Sequence, residues 1–378
     1  MSSAITKTIS LVILIGLGYF LQSKIASKDQ REGIKTLILS LALPATIFIA
    51  LLQIDFRSDL IVIPLFALAF NVIMHLLMEY APLNTMFSLQ ENQYRTLILL
   101  IPSLAPGLSC LPFIMEYSGQ GPLAMAALAD VGNKVFVLVI SYTIAMRWYF
   151  QTHRNQDSGQ TSKVKSLMIS LLNEPVNIVI VLAIIMLAFG WNYQSVPEFA
   201  QLSIDRLSMM MTPLILLFIG ISIKLTWGQF KTIIAFLFFR SSIAFALSAA
   251  MLFFLPVNDL ATALLIVVFP QSACSFWPFS HMAAVTALEQ KSMFPSRTFD
   301  LEFAMNVLAC SMPFSVMLIL LVYTSGTFFA QPSNIVVTAA ALMAAAIGVV
   351  ILSMRTSAAY KGEAVELDEV GGEKQNAA

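Results

Sequence analysis

The sequence predicts an all-α membrane protein made of two inverted five-helix repeats, with spans 4 and 9 broken in their middles and an extra C-terminal helix. Three observations carry this expectation. Of the 378 residues, 58% are hydrophobic and only 11% charged, with a mean hydropathy of +0.82, far from the charge content of a soluble domain. Eleven apolar runs, at about 5–23, 34–53, 59–80, 95–117, 121–148, 174–192, 205–225, 230–255, 260–286, 300–324 and 334–354, each approach the roughly 20 residues a bilayer crossing needs. The fourth and ninth runs are interrupted by proline in their middles.

Span 1 contains the run Ile9 to Leu21, which resembles the apolar part of a signal peptide. No small-x-small cleavage pattern follows before Lys24, so it reads as a membrane span. Spans 2 and 7 each place Leu-Ser upstream of a proline and end in Phe-Ile-small: Leu39-Ser40, Pro44 and Phe48-Ile49-Ala50 in one, Leu207-Ser208, Pro213 and Phe218-Ile219-Gly220 in the other. Pro44 and Pro213 are expected as kinks. Span 4, from Arg95 to Glu116, holds Pro102, Pro106, Gly107, Ser109, Cys110 and Pro112. Each proline lacks an N–H and clashes with the preceding turn, which frees backbone groups at a depth where only protein, ligand, ion or trapped water can meet them. Span 9, from Leu264 to Phe279, repeats the design with Pro270, Gln271, Ser272, Cys274, Ser275, Trp277 and Pro278, and both segments end in Ser-x-x-Pro-Phe. Two interrupted spans at corresponding positions of two halves point to the binding site of a secondary transporter.

The polar stretch from Gln151 to Lys165 divides the chain. The expected organisation is a first five-helix repeat over 1–150, a cytoplasmic linker over 151–173, a second repeat over 174–325, an extra transmembrane helix at 334–354 and a disordered tail over 355–378. Five is odd, so the second set runs upside down relative to the first. The loops after spans 1, 3, 5, 7 and 9, with the tail, carry sixteen lysines and arginines from Lys24 to Lys374, against Lys7, Arg57 and Arg206 on the other side. The positive-inside rule then puts the N-terminus outside and the C-terminus in the cytoplasm of a multi-pass cell-membrane protein. Lysine plus arginine and aspartate plus glutamate both total 21, which gives no reason to expect a nucleic-acid partner. Cys110, Cys274 and Cys310 lie in apolar runs without disulfide or metal spacing, and no cofactor or metal is expected.

The pieces Leu43-Pro44-Ala45-Thr46-Ile47-Phe48, Ala129-Asp130-Val131-Gly132-Asn133, Asn173-Glu174-Pro175, and Pro213 with Gly220 resemble, in order and spacing, the auxin efflux carrier (AEC) family of membrane transport proteins. That family belongs with the PIN-like and bile-acid-sodium-symporter-like carriers. The resemblance covers about residues 5–325. It implies ten spans in two inverted repeats, helices 4 and 9 unwound where they cross, and a small organic anion such as auxin or a dicarboxylate held beside the crossing. The chain departs from the family pattern in its eleventh span and in Pro106-Gly107-Leu108-Ser109-Cys110, where many relatives are richer in glycine and asparagine.

Several residues are candidates for the chemistry. Asp130 and Lys134 share one face of span 5 near mid-bilayer, either as a structural i,i+4 ion pair or as a proton- or cation-coupled carboxylate beside an anion-attracting charge. Asn133 is a substrate or ion contact, and Asn306 of span 10 its expected counterpart. Glu302, near the cytoplasmic end, is interfacial or coupling. Arg240 in span 8 is expected to meet an acid of another span or an anionic substrate. At the crossing, Ser109, Cys110, Pro112, Gln271, Ser272 and Ser275 surround freed carbonyls and half-helix N-termini, which suit a carboxylate, with Pro102, Pro106, Gly107, Pro270 and Pro278 as hinges. Trp277 stacks on substrate, wedges the crossing or packs the core; His281 titrates near physiological pH or packs. Trp148, Trp191 and Trp227 mark an aromatic belt.

The expected function is a secondary active transporter that moves a small organic anion across the membrane, driven by H+ or Na+, with the crossing bundle moving against a scaffold that includes spans 2 and 7. A homodimer is compatible with this pattern. No Walker lysine motif is present, so ATP drive within the chain is not expected. The rival readings are a ligand sensor on the carrier fold and an intramembrane enzyme, for which no His-Glu-x-x-His is present and only three histidines are available.

Overall fold

The computed structural model describes residues 3–53, 62–81, 87, 89–152, 175–222, 230–255, 257, 259–291 and 297–351. The linker beyond residue 152, the tail 355–378, and Arg57, Asn173, Glu174, Trp227 and Lys374 lie outside the described residues. Those described form helices with no β-strand among them. Eight helices are long and apolar enough to cross a membrane: Asp29–Leu52, Val62–Tyr80, Gln120–Thr152, Glu198–Ile221, Phe230–Phe254, Leu260–Gln290, Leu301–Thr324 and Pro332–Ile351. They occupy the positions of spans 2, 3, 5, 7, 8, 9, 10 and 11. Spans 1 and 6 are the shorter apolar helices Ile9–Ser23 and Pro175–Ala188.

Span 4 is not a rod. It is a helix Glu91–Leu100, a single turn Pro106–Ser109 and a helix Leu111–Ser118. Span 9 is helical over Leu260–Val268, tightens into a 3-10 turn over Phe269–Gln271, is non-helical from Ser272 to Ser275, and resumes as Phe276–Lys291. The prolines explain where the helices stop and restart: Pro102 and Pro270 end the first halves, and Pro106 and Pro112 sit in the opening turns of the pieces that follow, where a missing N–H costs nothing. Polar side chains set several other helix starts. Ser27 and Gln30 close a capping box at the start of span 2, and Asp259 and Asp300 accept from the N–H groups of Thr262 and Phe303 at 2.7 and 3.0 Å, satisfying donors that no helical carbonyl reaches.

Pro44 has a visible effect on span 2. The turn before it, Ile38–Ala42, is a π turn in which Leu43 N–H bonds the carbonyl of Ile38, five residues back. Such widened turns mark functional distortions of a helix. Span 5 carries a second one, Phe136–Ile140.

Small residues set the packing. A Cβ on Gly18 would fall on the Leu217 carbonyl, and one on Gly220 on the carbonyl of Ile15, so spans 1 and 7 touch backbone to backbone. Gln22 Nε2 donates to the Gly220 carbonyl at 3.0 Å in the same seam. Gly132 does this for span 5 against Pro64 of span 3. Spans 1, 2, 6 and 7 pack on one another, while spans 3, 5, 8 and 10 surround the two broken spans. Large apolar side chains such as Phe66, Phe253, Phe254 and Val337 are exposed on the outside, where the bilayer is their solvent.

Candidate functional site

The breaks in spans 4 and 9 meet. Ala105 N–H donates to the Ala273 carbonyl at 2.8 Å, so the two non-helical segments pair backbone to backbone. Ser275 N–H donates to Ser103 Oγ at 2.9 Å, and Ala273 N–H to Ser109 Oγ at 2.9 Å. At bilayer depth each freed group must find a partner, and the protein supplies most of them itself. Asn71 of span 3 donates to the Pro102 carbonyl at 2.9 Å. Asn133 of span 5 accepts from Leu104 N–H at 3.1 Å and donates to the Leu104 carbonyl at 2.9 Å. Ser311 of span 10 accepts from Cys274 N–H at 3.3 Å.

Arg240 binds both breaks. Its side chain is 1% exposed; Nε donates to the Ile101 carbonyl at 2.9 Å, and one terminal nitrogen to the carbonyls of Ser272 at 2.6 Å and Ser103 at 3.4 Å. This corrects the expectation of an acid partner: among the described residues, the acceptors of the guanidinium are main-chain oxygens. A lysine would have to reach these acceptors from a single nitrogen, without the rigid planar fork that spreads the donors here.

The polar side chains of the crossing are likewise engaged within the protein. Ser109 donates to the Ala105 carbonyl at 2.8 Å while accepting from Ala273, Ser272 Oγ donates to the Phe269 carbonyl at 2.6 Å, and Gln271 Nε2 donates to the Ser241 carbonyl at 3.3 Å. Cys110 is fully buried with its thiol toward the Val268 carbonyl at 3.6 Å, and Pro112 is buried in a helix start. Ser109, Cys110, Pro112, Gln271 and Ser272 build the crossing and do not line the cavity described next.

A cavity of about 380 Å³ lies against one side of the crossing. Asp130, Asn133 and Lys134 of span 5, Pro106 and Gly107 of span 4, and Ser275, Trp277 and Ser280 of span 9 line it, with Lys35, Leu39 and Leu43 of span 2 and Val176 of span 6 opposite. The spacing of Asp130, Asn133 and Lys134 puts them on one helix face, and the close approach at Gly132 brings Asn133 to 2.9 Å from Asn71. Lys134 Nζ is 3.3 Å from Asp130 Oδ2 and donates to Asn177 Oδ1 of span 6, also at 3.3 Å. Asn133 donates to Asp130 Oδ1 at 2.9 Å. Asp130 thus has one partner on each oxygen, in a buried site where pairing is what makes a charge tolerable.

The remaining candidates fall elsewhere. His281 is buried and its Nε2 bonds the Val137 carbonyl at 2.9 Å, inside the π turn of span 5, with Tyr142 edge-on at 5.4 Å. A carbonyl only accepts, so Nε2 carries the proton. Glu302 is exposed in the first turn of span 10, and Asn306 is half-buried one turn on; neither lines the cavity, and the side chain that reaches the second break from span 10 is Ser311. A second cavity, of about 540 Å³, lies between the starts of spans 1 and 7, Thr46 of span 2 and the Met115-Glu116 end of span 4.

Sequence reasoning missed Lys35, Asn71, Ser103, Asn177 and Ser311. Lys35 was counted only among the basic loop residues, and the others carry no motif.

No family model matches the sequence. A protein of Methanocaldococcus jannaschii described as an uncharacterized transporter is 27% identical over 241 residues, 60% of this chain and 72% of that protein. The chain is a multi-pass membrane protein. Its similarity to a transporter and the polar cavity beside two broken spans set the terms for a functional reading.

Proposed function

We propose that the chain is a secondary active transporter of the auxin efflux carrier type that moves a small organic anion across the cell membrane, coupled to H+ or Na+. The observation that carries the reading is the buried Asp130–Lys134 pair, 3.3 Å apart, on the wall of a cavity beside the crossing. Intramembrane ionisable groups that face a cavity are characteristic of substrate and ion pathways. In this reading Asp130 is the coupling carboxylate, and Asn133, Lys134, Ser275 and Trp277 face the guest.

Two further features support a carrier built from inverted repeats. The packing of span 1 on span 7 is matched by that of span 6 on span 2, the exchange that an inverted duplication generates. Ser103 and Ser272 also occupy like positions, each donating Oγ to the carbonyl three residues back, Leu100 at 2.5 Å and Phe269 at 2.6 Å. The two cavities supply the access routes. Consecutive spans start at opposite membrane faces, so the cavity at the start of span 2 and the one at the start of span 1 belong to opposite sides. With the basic loops in the cytoplasm, the Lys35 side is the inner one, and the crossing bundle moves against spans 1, 2, 6 and 7.

Uptake of radiolabelled mono- and dicarboxylates into proteoliposomes, with and without an imposed pH or sodium gradient, tests this reading. The expected result is saturable uptake of at least one carboxylate that rises when a gradient is imposed. Binding without flux would favour a sensor.

A further inference from the structure

We infer that Lys35 is the side chain that receives the guest's negative charge and sets the cavity's preference for anions; this rests on the carrier reading above. Lys35 comes from the start of span 2, on the wall opposite the crossing, and lines the same cavity as Asp130 and Lys134. Its side chain is 23% exposed, and its ammonium group sits over the ring of Phe276, 4.8 Å from the centroid. Phe276 is the first residue of the second half of span 9 and also lines the cavity. An interfacial lysine that only marked the cytoplasmic side would turn its head group to bulk water; this one is held against an aromatic face at the cavity wall.

The charge balance of the lining gives Lys35 its role. Asp130 and Lys134 offset one another at 3.3 Å, and Lys134 is also held by Asn177. Asp130 is the one carboxylate among the described lining residues, so the positive charge in excess among them is that of Lys35. Glu32, 3.4 Å away, is 52% exposed, outside the lining and in contact with solvent that screens it. A carboxylate entering the cavity therefore gains most by pairing with Lys35. It brings a second carboxylate to an ammonium that already donates to exposed Glu32 at 3.4 Å, exchanges the cation–π contact for a charge–charge contact in a partly desolvated site and leaves the Asp130–Lys134 pair intact. The exchange also separates Lys35 of span 2 from Phe276 of span 9, a contact between the two groups of spans, so that arrival of the anion frees one to move against the other.

The test compares the wild type with Lys35→Gln and Lys35→Arg in proteoliposomes, using radiolabelled lactate, succinate, malate, citrate and indole-3-acetate as probes. For each probe that the wild type takes up, Lys35→Gln should raise KM about tenfold or more with Vmax little changed, the signature of lost binding that ground and transition states share. KM should also lose most of its dependence on ionic strength. Lys35→Arg should recover most of the affinity. An unchanged KM in Lys35→Gln, a fall in Vmax alone, or a Lys35→Arg variant as weak as Lys35→Gln would overturn the assignment while leaving the carrier reading standing. A wild type that takes up none of the probes defeats the carrier reading, and this inference with it.

Discussion

Replacing Arg240 with leucine should be the most damaging single change in the membrane core. The carbonyls of Ile101, Ser103 and Ser272 stay where the proline breaks put them, and the substitution removes the donor that all three share. Each buried acceptor left without a partner costs about 1–3 kcal/mol, so the gross loss is about 3–9 kcal/mol, part of which the relieved desolvation of the guanidinium offsets. Purified Arg240→Leu should unfold well below the wild type in a detergent thermal melt, or fail to accumulate folded. Arg240→Lys keeps the charge without the fork and should fall between the two. A melting temperature for Arg240→Leu within roughly 2 °C of wild type, equivalent to less than about 2 kcal/mol in a chain of this size, would mean that the breaks are held by something else.

The second large effect is expected at Asp130, and it separates function from folding. Asparagine has the same shape: its amide oxygen can still accept from Asn133, and Lys134 keeps Asn177 as an acceptor. Asp130→Asn takes away the carboxylate partner of the Lys134 ammonium, so it should still fold but melt below wild type. What it loses is a group that can bind and release a proton or cation inside the membrane, so gradient-driven uptake should fall to the level of protein-free vesicles. Uptake at the wild-type rate would remove Asp130 from the coupling mechanism.

Much of this architecture could be read from residue types because the bilayer imposes a coarse rule. Runs of about 20 apolar residues become helices; Pro102 and Pro270 are where spans 4 and 9 stop being helical, and Pro106 and Pro112 sit where the pieces of span 4 resume. The face shared by Asp130, Asn133 and Lys134 follows from spacing alone, and these residues do line the cavity with Ser275 and Trp277. The partners of the broken backbone were not legible. Main-chain carbonyls are the same at every position, so nothing in the sequence distinguishes an arginine that will bind three of them from one awaiting an acid. The serines of the crossing, Ser109 and Ser272, look like ligand donors in one dimension; in three they complete the main-chain bonding of the opposite or preceding segment. Lys35 was obscured differently, since it lies among the basic residues that gather between spans 1 and 2.

Cross-linking spans 2 and 4 tests the central claim, that the crossing bundle moves against its scaffold to carry the guest. A Cβ on Gly107 would lie 3.1 Å from Leu43 Cδ2, so cysteines placed together at Leu43 and Gly107 face each other across this contact, and closure of a disulfide between them is checked first by loss of free thiol, while Cys110, Cys274 and Cys310 are buried. In proteoliposomes containing this double variant, gradient-driven carboxylate uptake should stop on oxidation and return on reduction. Undiminished uptake by the fully oxidised protein would contradict the account.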